Sequence, residues 1–113
     1  MGGIMIYELR TYWAEPGKLD ALNARFRNLT LGLFARHGAQ VIGFWTPAPR
    51  TAESGDLVYL LAFADKAAVT ASWDAFRADP EWHAGKTASE ANGALVEKII
   101  SVLLDPTDYS PLL

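Results

Sequence analysis

Two residues apart in the run Ile4–Tyr12, Glu8 and Arg10 put a carboxylate and a guanidinium on one face of a β-like stretch. In a strand that spacing is about 6.6 Å, short enough for the two side chains to meet. In a pocket, Arg10 would bind an oxyanion or carbonyl and Glu8 would act as acid or base. The competing reading is a structural ion pair, within one chain or across two copies, because neither charge is tolerated alone once desolvated.

His37 is the third candidate. It serves either as a general base beside a pocket or as a partner for the negative end of the helix it closes. His83 follows Trp82 in a weak helix and is expected to be exposed. The two histidines lie 46 positions apart with no carboxylate pattern around either, so no metal site is expected. Five aromatics, Tyr12, Trp45, Tyr59, Trp73 and Trp82, fit two roles. They are core and interface residues, or they wall a pocket for a hydrophobic small molecule beneath the helices. Trp82 suits the second role because the small residues Ala84, Gly85 and Ala88 follow it. The sequence contains no phosphate-binding glycine loop and no Gly-x-Ser-x-Gly elbow, so no cofactor is expected.

The composition narrows the classes. At 113 residues the chain is read as one domain, residues 1–113, half hydrophobic and one-fifth charged. Its net charge of −3 comes without any basic stripe, which argues against nucleic acid. There is no cysteine, which excludes disulfides and thiolate chemistry and fits a cytoplasmic location. No signal-peptide pattern opens the chain, and no apolar run approaches a membrane span, so no membrane insertion is expected.

The elements that must hold these residues follow from pattern and punctuation. Ile4–Tyr12 is a strand ended by Glu15-Pro16-Gly17. One of its faces, Met5, Tyr7, Leu9 and Thr11, is suited to packing under helices. The other carries Ile4, Ile6, Glu8, Arg10 and Tyr12. A helix opens at Pro16 and runs to about Arg36, with Leu19, Leu22, Phe26, Leu29 and Leu33 as its apolar stripe; Arg25 lies off it. Gly38 stops that helix. Val41–Pro47 and Leu57–Phe63 are strands forming a hairpin across a polar turn. Asp65 caps the next helix, and Val69, Trp73 and Phe76 form its stripe. Asp79-Pro80-Glu81 restarts a helix with cap, first-turn proline and first-turn acid in order. Leu95–Leu104 is the last strand. Beyond it, Tyr109, Leu112 and Leu113 are available to pack. This order, β-α-β twice, predicts an α+β, ferredoxin-like split βαβ fold with a four-stranded antiparallel sheet.

Two helices cover one side of such a sheet. The uncovered side should then alternate apolar and polar, yet strands three and four are apolar on both parities. On strand two, Val41 and Trp45 oppose Ile42 and Phe44. A bare face would expose a patch on the order of several hundred Å2, more than a soluble monomer usually tolerates. A second copy packed sheet against sheet is the expected cover.

Several landmarks carry a resemblance. Met5-Ile6-Tyr7-Glu8-Leu9-Arg10-Thr11-Tyr12 with Pro16-Gly17-Lys18-Leu19, then His37-Gly38, Gly43-Phe44-Trp45-Thr46, Ala78-Asp79-Pro80-Glu81-Trp82 and Leu104-Asp105-Pro106-Thr107-Asp108-Tyr109-Ser110-Pro111, resemble proteins of the NIPSNAP family. The resemblance implies a dimeric α/β barrel with no assigned reaction. Its wider architecture includes cofactor-independent monooxygenases, haem-degrading enzymes and muconolactone-type isomerases. The expected function is therefore a homodimeric binding or housekeeping protein of unassigned biochemical role, with a hydrophobic small molecule as the candidate ligand; a subunit-interaction module that uses the same sheet face with a different partner is a further reading. The alternative is a cofactor-independent monooxygenase or isomerase acting on an aromatic or polyketide-like compound.

Overall fold

The side chains that drive strand formation are paired as the alternating pattern requires. In the computed structural model, which describes residues 5–112, β1 (Ile6–Ala14), β2 (Gln40–Trp45), β3 (Leu57–Phe63) and β4 (Val96–Leu104) form one sheet in the order β2-β3-β1-β4. All neighbours are antiparallel. Ile4, which opened the expected first strand, and Leu113 lie outside the described residues.

The first helical segment is interrupted. It comprises α1 (Leu19–Arg25), a π-helical turn (Phe26–Thr30) and α2 (Leu31–Arg36). Pro16 does not open it. Pro16 and Gly17 form a turn with Gly17 at φ +75°, and Lys18 stands at the N-cap. The π turn admits one extra residue per turn, so the buried face slips along the helix. Arg25, expected off the stripe, is buried with Leu22 and Phe26, and burial resumes at Thr30, Leu33 and Phe34. Thr30 Oγ1 bonds back to the Arg25 carbonyl five residues earlier.

α3 (Lys66–Ala78) and α4 (Pro80–Ser89) complete the helical layer. Both caps follow the expected chemistry. Asp65 accepts from the Ala68 N–H at 2.7 Å, and Asp79 accepts from the Glu81 N–H at 2.9 Å.

The expected orientation of β1 is reversed. Ile6, Glu8, Arg10 and Tyr12 face the helices, while Tyr7, Leu9 and Thr11 face outward. The β3 register explains this. Opposite the first set stand Phe63, Leu61, Tyr59 and Leu57, which include both aromatics of β3 and fill the core with Phe26 and Phe34. Opposite the second set stand Ala62, Leu60 and Val58. The charged pair is tolerated inside because polar partners meet it there, whereas the outer set offers none.

β2 carries a bulge between Val41 and Gly43. A bulge inserts one residue and reverses the parity after it. Val41 and Phe44 therefore share the helix side, opposite Leu61 and Tyr59, and Trp45 turns outward opposite Val58. Trp45 lies across Gly43, where a Cβ would sit 2.6 Å from the indole, so only glycine allows that placement. The outer face is apolar and open: Trp45, Ile100, Val102 and Leu104 are exposed in the single chain. Tyr109 and Leu112, expected to pack, are exposed as well.

Candidate functional site

Along the inner face of β1, period-two alternation delivers Glu8, Arg10 and Tyr12 in a row, and β3 adds Tyr59 beside Arg10. The Glu8 carboxylate is buried and takes three donors. Trp73 Nε1 donates to Oε1 at 2.7 Å; Arg10 Nη1 and Ser101 Oγ donate to Oε2 at 2.9 and 2.5 Å. Arg10 donates from Nε to Tyr59 Oη at 2.8 Å and from Nη2 to Tyr12 Oη at 3.1 Å. The two phenol oxygens are 2.9 Å apart. Trp73 closes the stack, with the Arg10 guanidinium 4.3 Å from its ring centre.

These contacts set the charge states. Burial opposes the Arg10 charge, but the phenol oxygens of Tyr59 and Tyr12 and the Glu8 contact outweigh it, so its pKa lies above the ordinary value. Burial, with Tyr12 adding and Arg10 opposing, pushes the Tyr59 phenol well above its ordinary value. Tyr59 is thus a neutral phenol at any working pH.

Above this floor a pocket of about 500 Å3 opens between sheet and helices, a size suited to a small molecule. Tyr12, Phe26, Phe34, Trp73, Phe76 and Trp82 wall it. Its charged lining is mostly cationic: Arg10, Arg25, Arg77, Lys86 and Lys98 against Glu90 and Glu97. Arg25 bonds Ser89 and Glu90 and lies 5.2 Å from the Trp82 ring centre, tying α1 to α4 at the pocket's side.

Of the residues singled out from the sequence, Arg10, Tyr12, Trp73 and Trp82 line this pocket, and Glu8 and Tyr59 stand directly behind Arg10. His37 and Trp45 are not brought to it. Trp45 is outward because of the bulge. His37 ends α2, and its Nε2 lies 2.7 Å from Asp79 Oδ2. The room expected beside Trp82 is also taken, since Leu29 packs against Gly85 where a Cβ would collide with it. Contributors not assigned a site role from the sequence include Arg25, Phe26, Phe34, Phe76 and Ser101. Phe26 and Phe76 read as ordinary stripe residues. Ser101 had one readable signal, as the lone polar residue in the apolar run Ile99–Leu104. Among the described residues, no group of three or more His, Asp or Glu is placed to hold a metal.

His37, Arg36 and Asp79 form a structural cluster that fixes the start of α4, the helix carrying Trp82. Hydrogen bonding from His37, then from the Glu81 N–H and Arg36, holds the Asp79 carboxyl down at about 2 against an ordinary 3.8. A folded-state pKa below the unfolded one stabilises above the unfolded value and is lost as pH falls through the folded one. Asp79→Ala is therefore expected to lower the melting temperature by several degrees at pH 7. The gap should close between about pH 4 and about pH 2, as wild type loses the same interaction. Circular-dichroism melts across that range check it; a gap independent of pH would contradict the assignment.

Comparison with known proteins adds the following. A family model described as NIPSNAP matches residues 7–111. A NIPSNAP family protein from Agrobacterium tumefaciens str. C58 has a similar structure, with TM-score 0.83 and 21% identity over 100% of this chain and 95% of that one. An uncharacterized NIPSNAP domain protein from Burkholderia xenovorans gives 0.77 and 25% identity over 94% and 98%. A Nitrosomonas europaea protein, provisionally assigned as an antibiotic biosynthesis monooxygenase, gives 0.66 and 12% identity over 97% of both chains. No curated protein matches the chain in sequence.

Proposed function

The chain belongs to the NIPSNAP family, and from that premise we propose that it is a homodimer whose protomers each bind a flat, hydrophobic small molecule bearing an anionic or carbonyl oxygen. The observation that carries this reading is Arg10 at the floor of an aromatic pocket. A guanidinium has five N–H donors, and protein acceptors take one from each nitrogen of Arg10. One N–H on each Nη is left for a ligand. The aromatic walls match a ring system, and the cationic lining favours a negative group.

In this reading Glu8 is a positioning residue. Its carboxylate already accepts three hydrogen bonds, so acting as acid or base would require breaking a buried network. The dimer is supported by the apolar outer sheet face, which two copies would cover symmetrically.

The test is a binding comparison by tryptophan fluorescence. 2-Naphthoate should bind at least about tenfold more tightly than neutral 2-naphthamide, because only the former supplies a full charge to Arg10. Arg10→Lys keeps the charge but removes the planar fork and the stack on Trp73, and should lose most of that preference. Equal binding of the acid and the amide, or no binding of either, would reject the reading.

The alternative, a cofactor-independent monooxygenase or isomerase acting on an aromatic or polyketide-like compound, draws support from the fold shared with the Nitrosomonas protein. Likeness of fold alone is a weak warrant for chemistry.

A further inference from the structure

Two phenols share the Arg10 guanidinium, and between them they hold two hydroxyl protons. Each phenol oxygen accepts from Arg10, Tyr59 from Nε and Tyr12 from Nη2. The oxygens are 2.9 Å apart, so one proton is spent in the bond between them. The other has no protein acceptor among the described hydrogen bonds.

Burial decides which phenol keeps it. Tyr59 is fully buried and does not reach the pocket, whereas Tyr12 lines it. If Tyr12 donated to Tyr59, the Tyr59 proton would be stranded in the core, at a cost comparable to a lost buried hydrogen bond. Tyr59 therefore donates to Tyr12, and the Tyr12 hydroxyl is turned to the pocket. That hydroxyl is a strengthened donor, because its oxygen accepts from a cation and from a phenol at once. The spare Nη2 proton belongs to an atom 3.1 Å from Tyr12 Oη, close enough for both donors to reach one oxygen.

We infer that Tyr12 and Arg10 together form an oxyanion-binding corner, and that the ligand is a conjugated enol or phenol held there as its enolate or phenolate. This rests on the binding reading above and narrows it to a ligand whose oxygen ionises. The ligand O–H releases its proton to solvent water, its electron pair stays on oxygen, and the two donors hold the resulting charge. Glu8 takes no part as base. Nearby groups act in the same direction: Arg25, Arg77, Lys86 and Lys98 also line the pocket, and Glu90 among the carboxylates is paired with Arg25 and Lys86. Glu97 is the one lining carboxylate that opposes the anion.

The experiment uses 4-nitro-1-naphthol, whose neutral and ionised forms absorb differently, beside its methyl ether, which cannot ionise. Bound to the wild-type protein, the naphthol should ionise at least about tenfold more readily than in buffer, seen as a spectral titration moved to lower pH. Tyr12→Phe should remove most of that shift and weaken binding of the ionised naphthol much more than binding of the methyl ether, whose neutral oxygen gains less from the donor. Tyr59→Phe, which leaves the Tyr12 proton facing the pocket, should keep most of it. If the naphthol binds but titrates as it does free in solution, the oxyanion corner is wrong and the binding reading stands. If neither the naphthol, its ether nor 2-naphthoate binds, both fall. Should Tyr12→Phe fail to fold, the naphthol and ether measured on wild type still decide the matter.

Discussion

Glu8→Ala is expected to destabilise the protein by about 3–5 kcal/mol, the usual cost of stripping a buried charge of its partner. The physical reason lies in what the carboxylate holds. Three donors, from Trp73, Arg10 and Ser101, converge on it, and its side chain is only 5% exposed. Removing it leaves a buried guanidinium whose charge has no counterion within the network, because the remaining partners of Arg10 are neutral phenols. A loss of that size should lower the melting temperature by more than about 10 °C in a domain of this length. Glu8→Leu combined with Arg10→Met should recover part of the loss, since two apolar residues of similar size leave neither charge unpaired. Thermal or urea unfolding of wild type and these two variants tests this. A single variant as stable as wild type would mean that water reaches Arg10 and that the pair is not buried in solution. The double variant also separates stability from binding: it should fold yet fail to prefer 2-naphthoate.

Val102→Asp should convert the proposed dimer to monomers. Val102 lies on the outer face opposite Leu9, with Leu60 beyond it, and is 46% exposed in the single chain. An aspartate is therefore tolerated by the protomer. In a two-fold interface the same substitution occurs twice, so two unpaired carboxylates would be taken from water together. A penalty of at least about 3 kcal/mol corresponds to more than a hundredfold in the dimer dissociation constant. Light scattering and native mass spectrometry should show a wild-type dimer and a folded monomeric variant at micromolar concentration. A wild type that is monomeric at every concentration would leave the outer face without its proposed cover. An unchanged dimer in the variant would place the interface elsewhere.

The order of elements, both acidic helix caps, the ferredoxin-like topology and the pairing of Glu8 with Arg10 are all local or periodic properties. Asp65 and Asp79 are legible because a cap needs only a short oxygen-bearing side chain before a helical run. Glu8 and Arg10 are legible because a strand always places alternate residues side by side. Which face of β1 turns inward is a different kind of question. One face carries Glu8 and Arg10 and the other Met5, Tyr7, Leu9 and Thr11, so alternation favours the uncharged face for the helices, which is the wrong one. The inward face was decided by the bulky partners on β3 and by Trp73, Tyr59 and Ser101, which arrive from distant parts of the chain to satisfy the charges. The π turn after Arg25, beyond which burial resumes at Thr30, Leu33 and Phe34, and the bulge that turns Trp45 outward are each a single-residue slip. Periodicity averages over many residues and is blind to one. Those slips, together with Leu29 filling the space at Gly85, determine which side chains reach the pocket and which, like Trp45, do not. The polar pair at the centre of the site was therefore readable from the chain itself, while the pocket around it exists only once packing has chosen among registers that the pattern leaves equal.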